Sequence, residues 1–137
     1  MKEPVWLELQ ALLILHSESL DEHSGLDGIR DRGLLESALA RPLNLFHYER
    51  VTDQCRLAAA YAFGIARNHP FNDGNKRAAF ISAILFLKLN GYSFGASQID
   101  ATETVLKLAA GEITEDAFAR WLAVDSKQAR VPALPDS

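Results

Sequence analysis

An all-α fold is what this sequence predicts, and three observations predict it. Apolar residues recur at helical rather than alternating spacing, two Ala-rich segments are apolar around most of their circumference, and Gly, Pro, Asp and Thr stand where helices would start and stop. The chain has 137 residues, 48% apolar and 23% charged, the size of one domain with an ordinary core. We expect a compact single-domain bundle of about six helices over residues 1–125, with a loosely packed tail over 126–137.

Each element has its own warrant. From Pro4 to about Leu20, Trp6, Leu9, Leu12, Leu13 and Leu20 repeat at helical spacing, with Pro4 tolerated in a first turn. Residues 21–33 break the pattern with Asp, Ser and three glycines, and Asp31 is placed to cap a helix over 32–41 that Pro42 should end. The partly alternating Leu43, Leu45, Phe46, Tyr48 and Val51 are too irregular for a strand and predict an ordered flap over 41–52. Asp53 or Thr52 caps an Ala-rich helix reaching Asn68, which must be largely buried. A second buried helix runs from Asn75 to Asn90 and stops at Gly91. Residues 99–110 and 114–124 make two more, separated by Gly111, with Thr114 as the cap of the last. Trp6, Phe80, Phe86 and Trp121 fall on apolar faces and belong to the core.

Composition excludes several function classes. A net charge of −4, from 14 Lys plus Arg against 18 Asp plus Glu, argues against broad phosphate-backbone binding, so no nucleic-acid partner is expected. The most apolar stretch, residues 78–89, is shorter than a membrane span, so no membrane partner is expected either. The single Cys55 forms no internal disulfide, and residues 1–4 carry no export signal, so the expected compartment is the cytoplasm. His16, His23 and His47 lack paired ligand spacing and read as structural or surface residues. The mixed charges Asp21, Glu22, Asp27, Arg30, Asp31 and Arg32 read as a solvated loop and helix start.

The chemistry concentrates in His69-Pro70-Phe71-Asn72-Asp73-Gly74-Asn75-Lys76-Arg77, between the two buried helices. Gly74 permits a turn closed to other residues, and the backbone amides of Asn75, Lys76 and Arg77 open a helix, so unpaired N–H groups and the helix dipole converge on an anion. Asp73 offers hard carboxylate oxygens to the Mg²⁺ that bridges nucleotide phosphates, while Lys76 and Arg77 add positive charge. His69 is of the type that accepts a proton from an attacking hydroxyl near neutral pH. Arg67, two residues earlier, is a further candidate for the same phosphates, or faces solvent. Phe71 reads as a plug holding the loop to the core.

The stretch HPFNDGNKR resembles the signature of the Fic/Doc family, H-x-F-x-[D/E]-G-N-x-R, without a gap. GIRDRGLLESALAR from Gly28, the helix after Arg77 and the AGEI at Ala110–Ile113 are similar to the Doc branch, so the resemblance covers most of the chain apart from the tail. Adenylylating Fic enzymes usually continue G-N-G-R-x-x-R, whereas here Lys76 stands at the second Gly and Phe80 at the final Arg. The resemblance implies the helical Fic fold and a protein kinase of the Doc type. Such a kinase uses Mg²⁺ and ATP with the nucleotide reversed relative to adenylylating relatives, so that the γ-phosphoryl reaches a threonine of elongation factor Tu and translation stops. It implies His69 as base, Asp73 at the metal, and Gly74, Asn75, Lys76 and Arg77 on the phosphates. It further implies a cognate antitoxin whose C-terminal segment folds as a helix near the active site, and a target held along the flap at 43–52. The self-inhibitory pattern [S/T]-x-x-x-E-[G/N] of some Fic relatives is absent, since no Ser or Thr lies four residues before any Glu. The competing readings are transfer of AMP to a protein hydroxyl, and a catalytically degenerate binding module.

Overall fold

The computed structural model describes residues 3–23 and 28–128. Six helices appear in chain order: α1 (Leu9–His23), α2 (Arg32–Glu49), α3 (Gln54–Asn68), α4 (Asn75–Leu89), α5 (Gln98–Ala110) and α6 (Glu115–Asp125). Two short strands, β1 (Tyr92–Phe94) and β2 (Ser126–Gln128), complete the all-α expectation with a minor addition.

The expected caps are in place. Asp31 accepts from the Leu34 N–H, Asp53 from Cys55 and Thr114 from Ala117, each side chain satisfying one orphan donor of a first turn. Gly111 closes α5 in the left-handed region, at φ 78°.

α3 is the axis of the molecule. Leu57, Ala58, Ala59, Ala60, Tyr61, Ala62, Ile65 and Ala66 expose no surface, because α2, α4, α5 and α6 pack around it. Small side chains permit the close approach: a Cβ at Gly64 would stand 3.0 Å from both Cα and Cβ of Ala38 on α2. One edge of this packing is ionic. Glu115, buried at the start of α6, accepts from Arg41 of α2 through both carboxylate oxygens and from Arg56 of α3 at 2.7 Å, while Arg56 also pairs with Asp116 at 2.7 Å. The hydrogen bond to Glu115 pushes the Arg41 guanidinium above its already high range, and Arg41 also lies over the Phe63 ring at 4.9 Å. Cys55 is buried, and burial pushes its thiol up, away from the reactive thiolate.

Four expectations need correction. The first helix starts at Leu9, not Pro4. Residues before it are held by side chains instead: Asn90 bonds both the N–H and C=O of Val5, and the Leu7 N–H donates to the Tyr61 hydroxyl. Second, Pro42 does not end α2, which continues to Glu49. An interior proline costs about 3 kcal/mol of helix stability, yet here Leu35, Ala38, Pro42 and Leu45 form one buried stripe, and that burial overrides the local penalty. Third, the expected flap over 41–52 is therefore mostly the second half of α2, and only residues 50–53 join it to α3. Arg50 makes that turn in the left-handed region, with φ 57°. Fourth, the tail is not loose from its first residue, since β2 pairs antiparallel with β1, Phe94 opposite Ser126 and Tyr92 opposite Gln128. Neither strand was expected, three residues being too few to show a period. The rest of that tail, residues 129–137, lies outside the described residues, as do the export-signal positions Met1 and Lys2 and the charged Asp27.

Candidate active site

The motif loop occupies residues 69–74, joining the C-terminus of α3 to the N-terminus of α4. His69 ends α3 in the left-handed region, φ 50° and ψ 54°, with its N–H donating to Ile65. That conformation is uncommon for a residue with a side chain, and it turns the chain sharply out of the helix. The imidazole is exposed and has no hydrogen-bond partner among the described residues. No described residue therefore occupies either ring nitrogen.

Outside the motif, residues 28–31 hold this loop by main chain and by one guanidinium. The N–H groups of Arg30 and Asp31 both donate to the Pro70 carbonyl, at 2.7 and 3.0 Å, and the Asn72 N–H donates to Gly28 at 3.1 Å. Arg30 Nε donates to the His69 carbonyl at 2.7 Å and Nη2 to that of Asn68 at 3.0 Å, closing the end of α3. Gly28 has to be glycine: its φ is 105°, and a Cβ would stand 3.1 Å from the Asn72 amide nitrogen. Arg30 is exposed and Asp31 caps α2, as the reading of a solvated loop and helix start has it, and Arg32 forms an exposed pair with Glu36; what that reading did not contain is the engagement of the Arg30 guanidinium with the end of α3. The signal available was position, since Arg30 immediately precedes the helix cap.

The turn from Phe71 to Asn75 is stapled internally. The Asn75 amide accepts from the Phe71 N–H at 2.9 Å and donates to the Phe71 carbonyl at 3.0 Å, while Phe71 itself is buried as the expected plug. The side chain of Asn75 is thus engaged in shaping the turn, and its backbone N–H is what faces the helix end. Gly74 is the N-cap at φ 71° and supplies no side-chain cap. The first helical bond of α4 runs from Ala78 to Gly74 at 2.8 Å, and the N–H groups of Asn75, Lys76 and Arg77 have no acceptor among the described residues. An uncapped helix start after a left-handed glycine is an anion-binding geometry.

Asp73 lies at the mouth of this nest, exposed, with Oδ1 accepting from the Gly74 N–H at 2.7 Å. No group of three His, Cys, Asp or Glu side chains able to hold a metal ion exists among the described residues. The Asp73 carboxylate is a hard oxygen donor, the type that Mg²⁺ takes once or twice while keeping water and phosphate oxygens as its other ligands. Lys76 and Arg77 make no ion pair among the described residues, and both border a cleft of about 350 Å³ between α4 and α5, walled by Phe80, Ala101, Val105 and Leu106. Phe80 meets Phe94 edge-on, with centroids 6.1 Å apart, and Phe94 meets Trp121.

The Arg67 guanidinium sits over Phe63 at 5.8 Å, one turn back along α3, and beside Gly111. Of the 43–52 segment, Asn44, Leu45 and Glu49 line a cavity between α2 and α3 together with Phe63, Gly64 and Asn68, and the chain then turns into the start of α3, roughly 20 Å from His69 along a fifteen-residue helix. The backbone that pairs with the loop is that of residues 28–31.

Residues 6–87 match the profile described as the Fic/DOC family. The chain belongs to the Fic/Doc family. Among its relatives, the protein named Protein kinase doc of Escherichia phage P1 is 36% identical over 113 residues, covering 82% of this chain and 89% of that protein. The protein named Toxin Doc of Mycolicibacterium smegmatis (strain ATCC 700084 / mc(2)155) is 38% identical over 101 residues, covering 69% of this chain and 75% of its own length. The Fic/Doc match spans α1 to α4, so it contains the loop, the nest and both elements that hold them.

Proposed function

We propose that this protein is a Doc-type toxin that transfers the γ-phosphoryl group of ATP to a protein hydroxyl, a threonine of elongation factor Tu, and so arrests translation. The observation that carries the reading is the exposed His69 beside a helix start without a side-chain cap, with Asp73 at its mouth, followed by two cations that pair with no described residue. The name Protein kinase doc on a relative covering most of the chain supports phosphoryl transfer over other uses of the fold. Among the described residues no helix is long and apolar enough to cross a membrane.

In this mechanism His69 takes the proton of the attacking hydroxyl, needing only to come within hydrogen-bond reach of it. The N–H groups of Asn75, Lys76 and Arg77, with the two side-chain cations, bind the phosphates and offset the charge that spreads over the transferred group. Asp73 would hold Mg²⁺, which when bound neutralises and orients the phosphate oxygens. The cleft between α4 and α5 suits the base and sugar by its size and apolar walls. Phe80, packed against Phe94, adds no charge for a terminal phosphate where adenylylating relatives carry Arg. That favours a different seating of the triphosphate. The cognate antitoxin, binding through a helix of its C-terminus near the loop, would restrain the activity.

The test is direct. The purified protein is incubated with Mg²⁺, bacterial elongation factor Tu and ATP labelled on either the α- or the γ-phosphate. Label from the γ-position alone supports the kinase reading; label from the α-position makes the protein an adenylyltransferase. No label from either, with elongation factor Tu unmodified by intact mass, overturns the target.

A further inference from the structure

His16 was read from sequence as structural or surface, and the structure puts it under the active loop. Its side chain is 1% exposed on α1, yet its partner is neither its own helix nor a carboxylate. Nε2 lies 2.8 Å from the backbone carbonyl of Asp73, 57 residues along the chain. A carbonyl oxygen only accepts, so Nε2 must carry the proton and donate. The ring also stacks on Phe71, with centroids 3.9 Å apart and planes 22° apart. One imidazole thus touches both flanks of the turn that the Asn75 amide staples from inside.

We propose that His16 is a positioning residue for the active loop: by donating from Nε2 to the Asp73 carbonyl it sets where the Asp73 carboxylate stands against the first turn of α4. Asp73 is exposed, so the buried core does not enclose its side chain. Its backbone is instead tied from below to α1, and its Oδ1 is tied from above to the Gly74 N–H at 2.7 Å. Loss of the lower tie removes the donor that α1 supplies to this carbonyl and loosens the turn's attachment to α1, and errors of an ångström in a reacting group cost up to about a hundredfold in rate. The consequence for metal and rate rests on the kinase reading above; the positioning of the loop does not.

Two variants separate positioning from packing because they rank oppositely. His16→Phe keeps the buried ring against Phe71 and loses the donor; His16→Gln loses the ring and keeps an N–H at comparable reach. A merely structural role predicts that Phe is tolerated better than Gln by every measure. Positioning predicts that Gln, although lower in Tm, retains the wild-type Gly74 amide resonance in the ligand-free protein, while Phe shifts it, because that amide reports the Asp73 carboxylate through its hydrogen bond. In nucleotide titrations with the β,γ-imido analogue of ATP, Phe should weaken the Mg²⁺-dependent part of binding by about tenfold and leave binding in EDTA unchanged. A Gly74 resonance unmoved in His16→Phe overturns the proposal. If that resonance moves as expected while the wild-type protein transfers no phosphoryl group, the positioning stands and the kinase reading falls.

Discussion

The two ends of α3 carry the same kinds of side chain and treat them in opposite ways. At the N-terminal end Arg56 meets Glu115 and Asp116 at 2.7 Å each, and Asp53 is spent capping its own helix. At the C-terminal end the backbone is the part that is held, by Arg30 on the Asn68 and His69 carbonyls and by residues 28–31 on the loop, while the His69 imidazole, Lys76 and Arg77 keep no partner among the described residues. Charges that satisfy one another stabilise a fold and have nothing left to offer a ligand. Charges left open on a fixed backbone are the ones a reaction can use. The prediction is that damage at one end changes turnover without stability, and damage at the other changes stability without turnover.

The largest effect should come from His69→Ala. General base catalysis contributes about 10²–10⁴-fold, so transfer to the target should fall by at least the lower figure. The side chain is exposed and has no partner among the described residues, so Tm should stay within a degree or two of wild type, as for a surface change of ~0.5 kcal/mol or less. Measuring initial rates beside a thermal melt checks both halves. A variant that keeps wild-type turnover removes His69 from the base role; one that unfolds shows that the open end is also structural and breaks the contrast.

Much of this contrast was legible beforehand, for reasons that differ by residue. The caps Asp31, Asp53 and Thr114 are local signals, each acting within three residues, and a sequence displays local signals openly. The motif loop was legible because the nest, its glycine and the flanking His69 and Asp73 are contiguous. Pro42 misled because its penalty is local while the compensation, a buried stripe against α3, is tertiary. Arg30 and His16 were missed because their bonds span 38 to 57 positions, and no periodicity announces a side chain reaching a distant carbonyl. The same holds for Glu115, whose partners Arg41 and Arg56 lie 74 and 59 residues away.

Next in size is Glu115→Gln, which removes a buried carboxylate from between two guanidinium groups. Breaking a fully buried pair costs roughly 3–5 kcal/mol. Here Arg41 and Arg56 retain 39% and 23% of their side-chain exposure and can recover water, so about 2 kcal/mol is the better expectation. Urea unfolding should show a lower midpoint at an unchanged slope, and turnover per folded molecule should match wild type. Loss of turnover in a folded Glu115→Gln protein would mean that the paired end communicates with the loop through α3.

The smallest effect lies midway along α3 and sharpens the comparison by pH. Tyr61 is fully buried and its hydroxyl accepts from the Leu7 N–H. Burial pushes its ionisation up from 10.0 to about 12, outweighing that hydrogen bond, which acts in the opposite direction. Between those values the unfolded chain releases the phenolic proton while the folded chain keeps it. The unfolded state then binds fewer protons, so stability is complete below about pH 10 and declines as pH rises towards about 12, by roughly 2–3 kcal/mol for a shift of this size. Tyr61→Phe should cost about 1 kcal/mol near neutral pH, because the Leu7 N–H loses its acceptor, and should flatten the alkaline decline. The gap between wild type and variant should therefore narrow from pH 10 to 12 and reverse near the top of that range. A decline of equal slope in both proteins would place the alkaline weakness elsewhere and leave Tyr61 as packing alone.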